Sequence, residues 1–325
     1  MSFIYFFPFL VISLIAQWSD RHRYVRWATY GLLVVVNGGF LLLGFGSLLL
    51  SLSDRAAAQI AVIMPGLVVS RWAGFGWVTV GSAILSLVVL LPFVRRWIGR
   101  LIPIDAQSSV HATALALAAL MTGLNLAQVE LIGGLDLLAD AGGSVGFAEL
   151  LTSNLPIGVF AIIGVGYLVR RDGRRTLERL GLERVTWRQV GLVLILTLVI
   201  LVAYYGIDKF WLVVDPESHA MLESINEVLF GGVDKVWQAM LIGLSAAVTE
   251  ELLFRGALQP RFGFLPTAIL FTLAHVQYGW TLATLEVFVA GLVLGWLRKR
   301  GNTSVCILLH LLYNVLALTV FALLP

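Results

Sequence analysis

Three short polar patterns stand out in the last third of the chain: Glu250-Glu251-Leu252-Leu253-Phe254-Arg255, then Phe271 with His275 four residues on, then His310 with Asn314 four residues on. On a helix, a spacing of four puts both side chains on one face. Glu251 is therefore expected to pair with Arg255. Glu250, turned about 100° around the helix axis, points elsewhere and is left for chemistry. A carboxylate, two imidazoles and a carboxamide are groups with which proteins move protons and hold developing negative charge.

The elements that must position these residues are apolar. Of 325 residues, 59% are hydrophobic and 13% charged, and the mean hydropathy is +0.92. Soluble domains carry about 25% charged residues, so an ordinary soluble enzyme, a disordered chain, a coiled coil and collagen are excluded. The single cysteine, Cys306, excludes an internal disulfide and a thiolate metal cluster. Crossing the hydrocarbon takes about 20 mostly apolar residues. The stretches 3–18, 28–52, 73–94, 107–126, 152–169, 190–206, 235–254, 263–279, 281–297 and 303–324 read as such segments. The expected fold is an all-α, polytopic transmembrane helix bundle of about 8–10 spans. Residues 56–72, interrupted by Pro65-Gly66, read as an interfacial or re-entrant piece. An ionisable side chain at mid-membrane costs on the order of 3 kcal/mol or more, so the polar groups above each demand a reason.

Charge placement sets the expected orientation. No basic residue precedes the first stretch and Arg21, Arg23 and Arg26 follow it, which places the N-terminus outside. Connections then alternate in sidedness, and of 22 Lys and Arg residues all but Arg55, Arg71, Lys209 and Lys235 fall inside. The pI near 9.2 thus follows from topology, and no nucleic-acid partner is expected. Segment 170–189 reads as a solvated connector, with an amphipathic helix resting on anionic lipid as its other reading. At 1.5 Å per residue, Glu250, His310, Asn314 and His275 fall at depths of roughly 6–18 Å, compatible with one cavity toward the cytosolic side. Glu286 is expected to bond to a neighbouring helix and Cys306 to pack. His22, His111 and His219 read as solvated residues of connections or helix ends.

These patterns resemble the CPBP family, which includes CAAX prenyl-endopeptidases and bacteriocin-processing or self-immunity (Abi-type) proteins. Its usual pattern is Glu-Glu-x-x-x-Arg, Phe-x-x-x-His and His-x-x-x-Asn or Asp. The chain supplies all three in order, and Phe288, Gly291, Gly295, the basic turn 298–300 and Leu180-Gly181-Leu182 are similar too. The resemblance divides the chain into an N-terminal transmembrane region, 1–150, of unknown role and a protease-like domain, 151–325, with its motifs within 250–314. It implies an intramembrane endopeptidase. By that likeness Glu250 is the general base that activates water with help from His275. His310 and Asn314 hold the oxyanion, and Glu251, Arg255 and Phe271 support them.

Zinc is the one cofactor to weigh. Glu250, His275 and His310 offer a two-histidine, one-carboxylate set with water in the fourth position. The His-Glu-x-x-His helix of common zinc proteases is absent, however, and a ligated Glu250 cannot also be the base. A metal-free glutamate mechanism is favoured, with no cofactor. The expected partners are a polypeptide substrate at or in the membrane and the lipid bilayer. The expected location is a multi-pass integral membrane protein, in the cytoplasmic membrane if the source is prokaryotic, with the active site toward the cytosol. A non-catalytic scaffold or immunity protein and a proton-coupled transporter are the competing readings.

Overall fold

The computed structural model describes residues 3–53, 55, 58, 59, 62, 71–132, 145–275, 278, 279 and 281–320; the expected re-entrant piece at 56–72 lies mostly outside them. Helices follow in the order α1 Phe3–Ser19, α2 Arg23–Ser51, α3 Trp72–Val88, α4 Pro92–Ile98, α5 Ser109–Ile132, α6 Phe147–Ser153, α7 Leu155–Gly164 and α8 Gly173–Leu180. Then come α9 Trp187–Val214, α10 Pro216–Phe230, α11 Val236–Glu251, a π-helical turn Leu252–Leu258, α12 Gln259–Phe262, α13 Phe264–Leu273, α14 Leu282–Arg300 and α15 Thr303–Val320. Among the described residues the only β-type pairing is an isolated bridge between Tyr167 and Arg171. The fold is an all-α polytopic bundle.

Among the described residues, five segments are long and apolar enough to cross a membrane: Arg23–Ser51, Ser109–Glu130, Phe147–Gly164, Trp187–Val214 and Val236–Phe262. The pair α3–α4 makes a sixth if it is one span bent by 92°. Pro92 sits in the first turn of α4, where its missing N–H is harmless and a new helix direction can start. Other expected spans are shorter or more charged. Gly263, at φ 84, breaks the chain between α12 and α13, and α14 carries Glu286 near its start and Arg298, Lys299 and Arg300 in its last turn.

The chain divides into two units, one of Met1–Phe7, Gly142–Phe271 and Thr281–Pro325, the other of Pro8–Ala141 and Thr272–Trp280. In the second, α2, α3 and α5 pack together. Small residues allow the close approach that helices in lipid need, since water gives them no hydrophobic drive to associate. A Cβ on Gly44 would meet Val80 at 2.7 Å, and one on Gly76 would meet the Gly44 carbonyl at 2.9 Å. Asp20 caps the start of α5, accepting from the Ser109 N–H at 2.7 Å and the Ser108 hydroxyl at 2.9 Å.

In the first unit, α15 packs between α11 and α9, and α14 closes against α15. Val193 and Ile200 of α9, Leu294 and Leu297 of α14, and Val305, Cys306 and Leu309 of α15 form one buried cluster. The Cys306 thiol donates to the Leu294 and Asn302 carbonyls at 3.4 Å, a packing role. The other face of α9 leaves Leu194, Ile195, Leu198, Val199 and Val202 exposed, as a lipid-facing surface must. Where α8 ends, Gly181 takes the left-handed conformation at φ 71. The Gly181 carbonyl accepts from the Thr303 N–H at 2.9 Å, which ties the end of α8 to the start of α15.

Candidate active site

Glu250 and Glu251 end α11, and the π-helical turn begins at Leu252. A π turn leaves backbone carbonyls without their usual partners and is often found at functional sites. Here arginines supply them. Arg179 of α8 donates to the Gly256 and Ala257 carbonyls at 2.8 and 3.3 Å, and Arg298 of α14 donates to the Arg255 carbonyl at 3.2 Å. Gly256 admits Leu180, whose carbonyl oxygen would lie 3.0 Å from any Cβ there.

Glu251 is completely buried, and its Oε1 receives two partners: Arg255 Nη1 at 2.9 Å and His310 Nδ1 at 2.8 Å. Arg255, 1% exposed, also donates to the Gly291 carbonyl at 3.2 Å and lies over the Phe271 ring at 4.3 Å. Phe271 meets Phe254 edge-on at 5.1 Å, while His310 is stacked on Tyr313 at 5.1 Å with ring planes 4° apart. One carboxylate thus ties α11 to α15, and its arginine ties the π turn to α14. Gln259 repeats the second tie one turn later, donating to the Gly295 carbonyl at 2.8 Å.

Of the residues singled out by sequence, Glu251, Arg255, Phe271 and His310 are in direct contact. Glu250, 9% exposed, is the neighbour of Glu251 on α11. Asn314 lies one turn beyond His310, and its Cβ would be 3.4 Å from a Cβ on Gly243, two turns before Glu250 on α11. His275 belongs to the other unit, where its N–H donates to the Thr272 carbonyl at 2.9 Å. Among the described residues no three His, Cys, Asp or Glu side chains gather as a metal centre, and His310 gives Nδ1 to a carboxylate.

Several features escape a reading by spacing. Spacing assigns Glu251 to Arg255 alone, whereas the structure adds His310, 59 residues away in sequence. Tyr313, three residues after His310, is a legible helical neighbour that such a reading passes over. His219 is not the solvated residue expected: it is 4% exposed, pairs through Nε2 with Asp208 at 2.8 Å and meets Trp211 edge-on. The turn between α9 and α10 folds it inward. On α14 it is the Glu286 backbone carbonyl that joins a neighbouring helix, accepting from the Tyr204 hydroxyl at 3.0 Å.

Residues 232–316 match the family model of the type II CAAX prenyl endopeptidase Rce1-like proteins. That segment is similar to the Rce1-like family. It covers well under half of the chain yet contains all seven of the residues named above, from Glu250 to Asn314. The match is consistent with a CPBP-family protease and, with the long apolar helices, with a multi-pass integral membrane protein acting as a peptidase. No curated protein and no solved structure matches the chain.

Proposed function

We propose that the chain is an intramembrane endopeptidase of CAAX type that hydrolyses a peptide bond of a membrane-associated polypeptide, with its site toward the cytosolic side. Glu250 takes a proton from a water molecule while the water oxygen attacks the scissile carbonyl carbon. The carbonyl oxygen, now an anion, accepts hydrogen bonds from His310 Nε2–H and the Asn314 carboxamide. Glu250 then delivers its proton to the departing amine nitrogen as the C–N bond breaks.

The observation that carries this reading is the shared Glu251 oxygen. With Nδ1 of His310 held at 2.8 Å by that carboxylate, the imidazole is fixed in orientation, and Nε2 is the nitrogen that remains for substrate. For Nε2 to donate, one proton must sit between Nδ1 and Oε1 and a second on Nε2. Arg255, 2.9 Å from the same oxygen, balances the buried negative charge, so Glu250 does not share the site with a second bare carboxylate. A metal at this site would supply Lewis-acid polarisation of the carbonyl. The residues fit that role poorly, because Glu250 as a ligand could not act as the base, and we favour the metal-free route.

The test is comparative proteomics of membrane fractions, wild type against Glu250→Ala. Peptides that appear only with the glutamate present identify substrates and support hydrolysis. An unchanged peptide inventory, together with a retained cellular phenotype, would favour a non-catalytic scaffold.

A further inference from the structure

Read as spans by length and composition, the Phe147–Gly164 and Trp187–Val214 segments put the intervening stretch 165–186 at one membrane surface. Read the same way, the Val236–Phe262 segment puts Arg261 at the same surface. Loop 167–173 lines an open hollow of about 530 Å³ there. Its backbone is unusual: Gly166 and Leu168 have φ values of 96 and 69, and the Gly166 carbonyl accepts from Arg170 and Arg171 N–H groups at 2.8 and 3.0 Å. Arg170 and Arg171 lie in the wall of the hollow, beside Leu168, which is 72% exposed. The Asp172 carboxylate in that wall is engaged by α8, accepting from the Arg175 N–H at 2.9 Å.

Apart from Asp172, the charges acting here are positive. Burial, and then Arg261, Arg171 and Arg298, pull the Arg179 guanidinium down to about 10; burial, Arg170 and Arg261 lower Arg171 as well. Like charges held this close favour an anion among them.

We propose that the hollow at loop 167–173, walled by Arg170 and Arg171 and within the field of Arg179 and Arg261, binds the phosphate of an anionic phospholipid headgroup. A lipid is the occupant because the hollow lies at the end of membrane-spanning helices, where headgroups are. The exposed Leu168 side chain in its wall also offers an apolar contact that a free phosphate does not need. The site is distinct from the hydrolytic residues, but Arg179 links them, since it holds the Gly256 and Ala257 carbonyls of the π turn. This assignment does not depend on the chain being a peptidase.

The test measures lipid binding directly. The full chain, purified in a neutral detergent, is titrated with short-chain phosphatidylglycerol, phosphatidylcholine or sn-glycerol 3-phosphate, and bound adducts are counted by native mass spectrometry. Phosphatidylglycerol is expected to be retained in preference to both others. Arg261→Ala removes an exposed side chain and is expected to weaken retention about fivefold, the factor that about 1 kcal/mol per basic side chain near a lipid surface represents. Arg261→Lys should restore at least half of it, and Arg188→Ala, an exposed arginine outside this group of four, should leave it unchanged. Equal retention of phosphatidylcholine, or Arg188→Ala acting as strongly as Arg261→Ala, would overturn the proposal. Retention of glycerol phosphate as tightly as of lipid would overturn the lipid assignment.

Discussion

Glu251→Gln keeps the shape of the side chain and removes the charge that Arg255 Nη1 at 2.9 Å and His310 Nδ1 at 2.8 Å share. Arg255, 1% exposed, then keeps the Gly291 carbonyl at 3.2 Å and the Phe271 and Phe254 rings at 4.3 and 6.0 Å, but no anionic partner. Removing one partner of a buried ion pair costs about 3–5 kcal/mol, because the other charge stays desolvated. At about 2–4 °C per kcal/mol for a chain of this size, the unfolding midpoint should fall by about 6–20 °C. Glu250→Gln changes a carboxylate outside that pair. It should shift the midpoint by no more than one hydrogen bond's worth, about 1 kcal/mol, while abolishing cleavage. Glu251→Leu with Arg255→Met removes both charges together and should recover most of the loss, leaving about 1–3 kcal/mol for the His310 nitrogen that has lost its acceptor. Tryptophan fluorescence in detergent reads all three melts. Glu251→Gln melting within 2 °C of wild type, or a double variant as unstable as the sum of its single changes, would refute the reasoning.

Other outcomes follow from the same geometry. His310→Gln should lower kcat by at least about 10²-fold, the loss typical of one oxyanion donor, with a smaller effect on KM, as steady-state cleavage of an identified substrate would measure. Enzyme stripped with a strong chelator should keep its activity, and loss restored by zinc would reverse the metal-free preference. Gly256→Ala brings a methyl to 3.0 Å from the Leu180 carbonyl and should cost about 1–3 kcal/mol of overpacking, seen as a lower melting midpoint. Asp215 caps α10 by accepting from the Ser218 N–H at 3.1 Å, and its Ser218 hydrogen bonds hold its pKa below the usual carboxylate range. Its folded-state pKa is depressed, so its contribution is fully present above the ordinary carboxylate pKa of about 3.9 and is lost as pH falls through the lower folded value. Hydrogen-exchange protection at α10, after correction for the intrinsic pH dependence of amide exchange, should therefore fall in acid in the wild type and show less acid dependence in Asp215→Asn.

How much of this was legible depended on whether a feature was local. The span pattern and the Glu251–Arg255 pair lie within one helix, where period and spacing are sufficient. The π turn at Leu252–Leu258 has no such signature, since its carbonyls are completed by Arg179 and Arg298 from distant helices. The Glu251–His310 bond joins α11 to α15, and no one-dimensional pattern encodes which of two adjacent glutamates a histidine will choose. His219 misleads for the same reason: its position in a connection suggests water, but Asp208 and Trp211 enclose it. Among the described residues, Gly263 and the charges of α14 interrupt stretches whose average composition still reads as lipid-soluble.

The neighbouring glutamates at the end of α11 carry unequal burdens. Glu251 is a keystone for three helices, whereas the bond-breaking duty, under the proposed function, falls on Glu250 alone. A descendant gene that lost Glu250 would still encode a sound molecule, able to grip a polypeptide without cutting it. One that lost Glu251 would have no such future. Inert, binding-only offshoots of this architecture should therefore arise by erosion at the first glutamate and spare the second.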